Sequence, residues 1–498
     1  MRKFLLASTA LVGAFTLVDR ADAQQLTTDS PFTVRIDGFL NFRGGIVSES
    51  NNTSVSAAKN NDIRRVAAAM GQNAGRSDQF RTDTEIHITA TGKADNGLVY
   101  GMYVEIEADP ALNQLTQQNV NTGGSAGIVT AATSGTSGQN YIDEANIFLQ
   151  GSWGRLEMGD QDGASDQLFF GAPYDYGPAY GQGSGADGDA LFRWANGTGI
   201  VNASSNITAT PMYTWNVKAL DSNDSTKITY LSPVISGFRA GISFAPDGGQ
   251  NGFLPANGPN GRSNVTLTNV TPQPCTGVGA ATCPALPATG APGFANNQGT
   301  YGDFQHWIEV GAQWRGTVGD VGLGANVGYV HAEHKKGIFG AAVAPTSNFI
   351  TGASGTVAVP SFGSYNYVDI NSWHFGAQVS WMGLTFGGSY SNHGRSVLLT
   401  GPGLQRGQDA YAYVLGLQYA IGPWVVGYNY SYSLNAGSTS GSPGANRADI
   451  AEWHSLGAKY ILAPGLFLFA EYVHFNIYDE GTSVNNGDIG LLGTGIRF

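Results

Sequence analysis

The chain of 498 residues has few charged residues, few cysteines and no long apolar runs. Charged residues make up 12% of it, whereas an average soluble domain carries about 25%. Two cysteines cannot build a disulfide-rich scaffold. Beyond residue 23 no stretch approaches the roughly 18 consecutive apolar residues that a membrane-spanning helix needs. These deficits exclude a disulfide-stabilised domain and a helical membrane protein.

Glycine and aromatic residues are abundant instead. The chain has 71 glycines, and Phe, Trp and Tyr together make up 11% of it. A disordered chain keeps few large apolar side chains. We therefore expect a folded protein, although its sequence contains few charged residues.

Residues 1–23 have the composition of a secretory signal peptide. Arg2 and Lys3 precede the apolar segment 4–18, and Ala21-Asp22-Ala23 supplies small residues for cleavage. A first core helix is the alternative, but the segment is short and lies at the extreme N-terminus. Without residues 1–23, which hold three basic and two acidic residues, the formal net charge changes from −12 to −13. An acidic product of this kind argues against a nucleic-acid partner.

The main pattern along the chain is an alternation with a period of two. In residues 373–381 the odd positions are Trp, Phe, Ala, Val and Trp, and the residues between them are polar or glycine. Segments 32–43, 98–107 and 424–434 alternate in the same way. This period is that of a strand with one apolar face and does not fit a helix. Because the apolar face has almost no charge and the other face is rich in Gly, Ser, Asn and Gln, we expect lipid outside and water inside. A β-sandwich would reverse this arrangement.

Tight turns and long connections divide the chain into hairpins. The seven turns lie at Asp95-Asn96-Gly97, Gly151 to Gly154, Pro233 to Gly237, Gly319-Asp320, Trp381-Met382-Gly383, Ile421-Gly422-Pro423 and Ala463-Pro464-Gly465. The long connections lie at about 49–78, 109–140, 161–224, 246–301, 335–369, 394–407, 435–449 and 479–488. The turns join fourteen strands, and end strands near 32–47 and 489–498 make sixteen. The sequence therefore predicts one all-β domain, 24–498, forming a transmembrane antiparallel barrel with short periplasmic turns and long extracellular loops. A barrel of this size encloses an aqueous channel.

The longest irregular connections include the segment from about 160 to 224, which follows a recognisable strand. Residues Gly154-Arg155-Leu156-Glu157-Met158-Gly159-Asp160-Gln161 resemble strand five, of form G-x-L-x-x-G-R-Q, in the general (non-specific) porins of the Gram-negative outer membrane, alphaproteobacterial type. The resemblance covers the mature chain in strand count, turn order and ends. It departs from the family in two places. Asp160 stands where Arg is common, and Phe169-Phe170-Gly171-Ala172-Pro173 replaces Pro-Glu-Phe-Gly-Gly.

The resemblance implies a location and a set of partners. It implies an outer-membrane porin, exported through the periplasm, for passive diffusion of small hydrophilic solutes and ions. It also implies a third loop folded into the pore, a homotrimer, and surroundings of outer-membrane lipid and lipopolysaccharide. Phe498, with Ile496 two positions earlier, resembles the terminal aromatic residue that the outer-membrane insertion machinery recognises.

At the constriction we expect acidic residues of the third loop to face basic residues of the wall. The acidic candidates are Asp160, Asp162, Asp166 and Asp175; the basic candidates are Arg35, Arg43 and Arg81, with Arg155 and Arg239 as further ones. Opposed rows of charge create a transverse field that orients dipolar solutes. The alternative is that these are ordinary solvated residues of the lumen and loops.

Cys275 and Cys283 lie in the fourth long loop, separated by seven residues. Because the compartment is oxidising, we predict a disulfide between them. Zinc binding is the alternative, but no nearby His or second Cys pair completes a site. The sequence contains no convincing set of nucleophile, base and orienting residue, so we expect no enzyme, no metal and no cofactor.

Two other functions stay open. One is a channel selective for sugars or anions, with a row of loop aromatics as the stacking surface: Phe169, Phe170, Tyr174, Tyr176 and Tyr180. The other is a secreted adhesin or structural β protein, which would have a solvated exterior.

Overall fold

The computed structural model describes thirteen segments of the chain. They are residues 24–27, 32–49, 78–107, 142–176, 217–248, 250–251, 254–255, 304–335, 366–396, 399–400, 409–436, 448–479 and 482–498. The predicted signal peptide 1–23, both cysteines and Tyr180 lie outside these described residues.

Within the described segments, sixteen strands form a closed antiparallel barrel, as the alternation predicts. They are β1 Thr33–Glu49, β2 Asp78–Lys93, β3 Val99–Glu107, β4 Ile142–Gly151, β5 Gly154–Asp160, β6 Thr226–Leu231, β7 Phe238–Asp247, β8 Phe304–Val318, β9 Val321–His334, β10 Ile370–Trp381, β11 Leu384–Gly394, β12 Ala410–Ile421, β13 Trp424–Ala436, β14 Ala448–Ala463, β15 Leu466–Asp479 and β16 Thr482–Arg497. Each strand pairs with the next along the chain.

The barrel closes between its first and last strands. Arg43 of β1 pairs with Arg81 of β2 on one side and with Gly493 of β16 on the other. Gly38 and Phe498 exchange backbone hydrogen bonds of 3.1 Å, which places the last residue at this junction. The short strand Gln24–Thr27 pairs with the beginning of β1.

In the described segments, two pairs of short strands and one helix lie outside the wall. The strands Gln250–Asn251 and Leu254–Pro255 pair with each other, as do Asn366–Tyr367 and Leu399–Thr400. Helix α1 spans Ala164–Gln167. Among the described residues no helix is long and apolar enough to cross a membrane.

The seven predicted tight turns are confirmed, and they all lie at one end of the barrel. In the turn between β10 and β11, Met382 and Gly383 have φ values of 47° and 85°. Positive φ at both central residues matches the right-handed twist of the paired strands.

The prediction for the last strand was wrong in extent. A long connection was expected at 479–488, but β16 begins at Thr482. Its first residues are polar on both faces, so the apolar alternation is missing there. Backbone pairing with β15, such as Asn476 with Asn486, still extends the ladder.

Side chains alternate between the two faces of the wall. On β10, Trp373 and Phe375 point outward and are exposed, whereas Ser372 and His374 point inward and are buried. Buried apolar clusters lie inside the barrel, between the wall and the connection that follows β5. That connection positions the candidate site.

Candidate pore constriction

The third loop, residues 161–225, joins β5 to β6, and its described parts are an outgoing limb (161–176) and a return limb (217–225). In the outgoing limb, Gly163 has an extended conformation and is followed by helix α1. The backbone N–H of Ala164 donates a 2.6 Å hydrogen bond to Oγ of Ser243, which points inward from the middle of β7. The limb therefore enters the barrel at once.

Inward amide side chains then hold the outgoing limb to the wall. Nδ2 of Asn326 on β9 donates to the carbonyl oxygen of Phe170, and Nε2 of Gln378 on β10 donates to that of Gly171, both at 2.7 Å. Farther along, the backbone N–H of Asp175 donates to Oε1 of Gln418 on β12, also at 2.7 Å. The limb thus follows the inner wall past successive strands, from the middle of β7 and β9 toward the short-turn ends of β10 and β12.

Wall glycines make room for this limb. A Cβ added to Gly376 would overlap the carbonyl oxygen of Phe170, and one added to Gly416 would lie 2.8 Å from Cβ of Ala172. The ring of Tyr176 occupies the space over Gly427 and Gly457 and is 1% exposed. Glycine at these positions is required by the close approach of the loop.

The return limb is held by polar side chains on two strands, β10 and β8. The N–H of Ala219 donates to Nδ1 of His374 and that of Leu220 to Oγ of Ser372, both at 2.9 Å. The N–H of Ser222 donates to Oε1 of Glu309 on β8 at 3.0 Å. The two limbs also pack together, since Val217 and Ala172 share a cluster with residues of β12. The described parts of the third loop therefore lie inside the barrel.

A buried lysine sits between acidic residues of the loop. Nζ of Lys218 forms ion pairs with Asp166 and, at 2.9 Å, with Asp221. Burial alone would lower the pKa of Lys218, but the carboxylates of Asp166, Asp221 and Asp162 hold its pKa well above the usual value. Burial disfavours ionisation of Asp221, yet Lys218 outweighs this and lowers its pKa. Lys218 is therefore a charged link between the two limbs.

An acidic cluster lies where the loop leaves and rejoins the wall. Carboxylate oxygens of Glu144, Asp162 and Asp224 lie within 4.8 Å of one another. Burial raises the pKa of Asp162, and the carboxylate of Asp166 raises it further. Burial, together with the carboxylate of Asp143, raises the pKa of Asp224 to about 7. Nζ of Lys227 donates to two loop carbonyls beside this cluster.

The wall opposite β9–β11 is formed by β1–β3 and carries charges of both signs. Asp37 pairs in register with His87, which in turn pairs with Glu105. Arg35 forms an ion pair with Asp37. Glu85 also points inward, since it lies two residues from His87 on the same face of β2.

The predicted basic residues are only partly brought together. Arg43 points inward and is 5% exposed, and Arg81 lies beside it in register. Arg155 pairs with Glu157 at 2.5 Å, near the short-turn end. Arg239 donates from Nε to the carbonyl oxygen of Ser232 at 3.3 Å, also at that end.

The predicted acidic residues have three different surroundings. Asp162 belongs to the acidic cluster, Asp166 pairs with Lys218, and Asp175 pairs with Lys459 of β14. Asp175 therefore helps to hold the loop on the wall.

The structure corrects the expected position of Asp160. In the sheet it pairs with Ala145 and Thr226, on the outward face that Met158 shares. Its carboxylate accepts a 2.5 Å hydrogen bond from the Thr226 hydroxyl. The alternation along β5 thus directs Asp160 away from the lumen.

The loop aromatics do not form one exposed row within the described residues. Tyr176 and Phe170 are buried against the wall, and Phe169 meets His374 edge-on at 4.8 Å. Cζ of Arg315 lies 4.0 Å from the centre of the Phe170 ring. Of the described aromatics in this set, Tyr174 is exposed.

Sequence reasoning missed the lysines that pair with the loop acids. Lys459 could have been found, because alternation puts it on the same face as Gly457 and Ser455. Lys218 lies in an irregular segment where no period applies. The contacts of Glu309, Asn326 and Gln378 with the loop could not be predicted either, because they depend on the path of the loop.

Comparison with known proteins finds several that are similar to this chain. A chain of Rickettsia prowazekii (strain Madrid E), described as an uncharacterized protein, is 22% identical over 100% of both chains. A similar one from Rickettsia conorii (strain ATCC VR-613 / Malish 7) is 21% identical, again over 100% of both. Among solved structures, outer-membrane expressed OmpT of Vibrio cholerae has 12% identity and a TM-score of 0.46, covering 95% of this chain and 100% of that chain. An anion-selective porin from Comamonas acidovorans has 12% identity and a TM-score of 0.45, covering 94% and 100%.

The family model described as Gram-negative porin matches residues 7–479. The match covers nearly the whole barrel, from before β1 to the end of β15. This chain therefore belongs to the Gram-negative porin family.

Proposed function

We propose that this protein is a passive diffusion pore for small hydrophilic solutes and ions. The protein is an outer-membrane porin, and membership of this family points to a channel and not to an enzyme. The observation that carries the proposal is the third loop, which is held on the inner wall between mid-height and the short-turn end by Ser243, Asn326, Gln378 and Gln418. A loop held in this way narrows a water-filled barrel without acting as a lid.

We further propose that the pore prefers cations. Near the point where the loop joins the wall, the described carboxylates outnumber the described lysines. The acids are Glu144, Asp162, Asp166, Asp221, Asp224 and Glu309; the lysines are Lys218 and Lys227. Ionised carboxylates raise the local concentration of cations, so this preference strengthens as the pH rises through the raised pKa of Asp224.

Planar-bilayer recording of the purified full-length chain tests both proposals. We expect steps of conductance that rise in proportion to salt, and a reversal potential in a KCl gradient that indicates K⁺ preference. Absence of conductance would contradict the pore, and preference for Cl⁻ would contradict the charge argument. Current blocked by a sugar in a saturable way would favour the selective channel instead.

We also propose that the protein is a homotrimer. Four outward aromatic residues lie eight positions from the short-turn ends of their strands and are typical of an interfacial girdle. They are Tyr329, Trp373, Tyr413 and Tyr432. On β1 and β2, the outward residues Ile46 and Phe80 lie thirteen positions from that end and are 65% and 77% exposed.

The greater distance of Ile46 and Phe80 from the short-turn end supports a protein partner on the outer face of β1 and β2. Five further residues at about 3.3 Å each, on strands tilted by about 40°, raise Ile46 and Phe80 roughly 12 Å above the girdle level. Apolar side chains at that height would meet polar headgroups or water unless a second copy covers them. Phe80 also stacks on Phe42 with ring centres 5.6 Å apart, which makes the apolar surface continuous.

A further inference from the structure

A group of four ionisable residues on the inner wall is not used by the diffusion mechanism. Asp37, Glu85, His87 and Glu105, here called the His87 cluster, lie on β1, β2 and β3. Their side chains are 12%, 29%, 23% and 16% exposed, so they are partly shielded from the lumen water. The strand register places them there, because Asp37, His87 and Glu105 are direct neighbours across the sheet.

The imidazole of His87 is oriented by one carboxylate and faces two others. Nδ1 lies 3.1 Å from Oδ1 of Asp37. Nε2 lies 3.3 Å from Oε2 of Glu85 and 3.6 Å from Oε2 of Glu105. A histidine that binds a metal donates its other ring N–H to a carboxylate or carbonyl group, which fixes the tautomer and the ring direction. Asp37 can act in that way here.

The surrounding residues support the same arrangement. Asp37 is held by its ion pair with Arg35. The hydroxyl of Tyr103 donates to Oε2 of Glu105 at 2.6 Å. Ligating carboxylates in metal sites are commonly hydrogen-bonded in turn. The cluster thus has three inner atoms that could bind a metal, namely Nε2 of His87 and one carboxylate oxygen each of Glu85 and Glu105. A second set of groups, on Asp37, Arg35 and Tyr103, orients them.

The spacing of the inner atoms fits a small divalent ion. Ligand atoms about 2.0–2.2 Å from Zn²⁺ in tetrahedral geometry lie roughly 3.3–3.5 Å from one another. The two distances from Nε2 of His87, 3.3 and 3.6 Å, are close to this value. All three inner atoms lie within 4.8 Å of one another, so a small closure brings the third pair into range.

The formal charges also favour a divalent ion. Asp37, Glu85 and Glu105 contribute three negative charges and Arg35 one positive charge, which leaves −2 when His87 is neutral. A divalent cation balances this charge. A proton on His87, the competing occupant, leaves −1. One imidazole nitrogen with two carboxylates suits first-row transition metals better than Ca²⁺ or Mg²⁺, which prefer oxygen ligands alone.

We propose that the His87 cluster binds one divalent first-row transition-metal ion per chain, with Nε2 of His87 and the carboxylates of Glu85 and Glu105 as ligands. Asp37, Arg35 and Tyr103 are positioning residues. The fourth tetrahedral position faces the lumen and is taken by water or a passing solute. The inference goes beyond diffusion, because a pore can conduct ions without such a site.

Calorimetry on the full-length chain in detergent tests the proposal without requiring conduction. After treatment with a chelator, the protein is titrated with ZnCl₂ and separately with CaCl₂. We expect one Zn²⁺ site per chain that His87→Gln weakens at least about tenfold, the lower range seen for disturbed metal sites. The matched control is His454→Gln, because His454 lies on the outward face and bonds to Tyr428.

Three outcomes would overturn the proposal. They are equal Zn²⁺ binding by wild type and His87→Gln, loss of binding in His454→Gln only, and Ca²⁺ binding as tight as Zn²⁺ binding. Co²⁺ titration gives a second readout, since a tetrahedral site with a nitrogen ligand produces strong visible absorption. Wild type and Tyr103→Phe are expected to show this absorption, and His87→Gln to lack it; absorption that persists in His87→Gln would also overturn the assignment.

Discussion

Nδ2 of Asn326 on β9 donates a 2.7 Å hydrogen bond to the carbonyl oxygen of Phe170 in the third loop. The neighbouring Gly376 on β10 leaves the space that this contact needs, because a Cβ there would overlap both groups. The side-chain amide of Asn326 and the absence of a side chain at Gly376 are therefore both needed for this contact. The position of the constriction depends on the wall as much as on the loop.

Substitution of Gly376 by alanine is expected to displace the outgoing limb. Overpacking of this kind costs about 1–3 kcal/mol, and the loop can move into the lumen more easily than the closed wall can deform. We expect a changed single-channel conductance and a lower temperature for the heat-induced gel shift. Gly490→Ala is the matched control, because an added Cβ at that outward position meets nothing within 4 Å. Equal behaviour of the two variants would contradict this role of Gly376.

The barrel could be predicted from the sequence because the alternation of apolar and polar residues along each strand indicates which face meets lipid and which faces the lumen. Trp373 and Phe375 alternate with Ser372 and His374, and the structure places the first pair outside and the second inside. This alternation is missing in the first part of β16, where polar residues such as Asn486 occupy both faces. In that region only pairing with β15 defines the strand.

The constriction could be predicted only in part. The sequence indicated that the third loop carries acidic residues, but not which group each one meets. Asp175 pairs with Lys459, which is 284 positions away along the chain, and no local pattern encodes that distance. The sequence predicts that Asp160 belongs to the acidic residues of the third loop at the constriction, whereas the alternation along β5 directs it outward.

The ion pair between Asp175 and Lys459 is expected to affect both ion selectivity and loop position. Lys459→Gln leaves the carboxylate of Asp175 without its partner, and the Asp175 side chain is 55% exposed. We therefore expect stronger cation preference, measured as a reversal potential in a KCl gradient. Asp175→Asn is expected to shift the preference the other way.

A double-mutant cycle separates the pair from its two members. Groups in direct contact show coupling energies of about 0.5–3 kcal/mol. Unfolding by urea of wild type, Lys459→Gln, Asp175→Asn and the double variant gives this coupling. Purely additive effects would show that the pair does not hold the loop on the wall.

The acidic cluster is expected to make cation preference depend on pH near neutrality. The pKa of Asp224 is raised to about 7 by burial and by Asp143. A carboxyl group is charged above its pKa, so Asp224 is about 90% charged at pH 8 and about 10% charged at pH 6. Cation preference should therefore fall as the pH is lowered from 8 to 6.

Reversal potentials of wild type and Asp224→Asn across this range measure the effect. The variant should show low preference already at pH 8 and a smaller change with pH. Asp320→Asn, in the turn between β8 and β9, is the control and should behave as wild type. A pH response in Asp224→Asn as large as in wild type would rule out Asp224 as its source.

The contact between copies is expected to lie on the outer face of β1 and β2. In a background of Cys275→Ser and Cys283→Ser, Phe80→Cys should cross-link copies into covalent dimers under mild oxidation, since each chain then carries a single cysteine. Val327→Cys is the control, because Val327 is 50% exposed on the outward face of β9, opposite β1 in the ring. Cross-linking through Val327 and not through Phe80 would place the interface on the other side of the barrel.

Lys218 is expected to be the main electrostatic link within the third loop. Lys218→Met leaves Asp166 and Asp221 without the cation that offsets their charge, and breaking a buried ion pair in this way costs about 3–5 kcal/mol. We expect unfolding at lower urea concentration, whereas Lys93→Met, at the exposed end of β2, should have little effect. The loss should shrink as the pH is lowered, because protonation removes the uncompensated charge on Asp221, whose pKa is lowered by Lys218 against the effect of burial. Adding Asp166→Asn to Lys218→Met should restore part of the stability at neutral pH. A deficit that is the same at every pH and in the double variant would show that Lys218 acts through packing and not through charge.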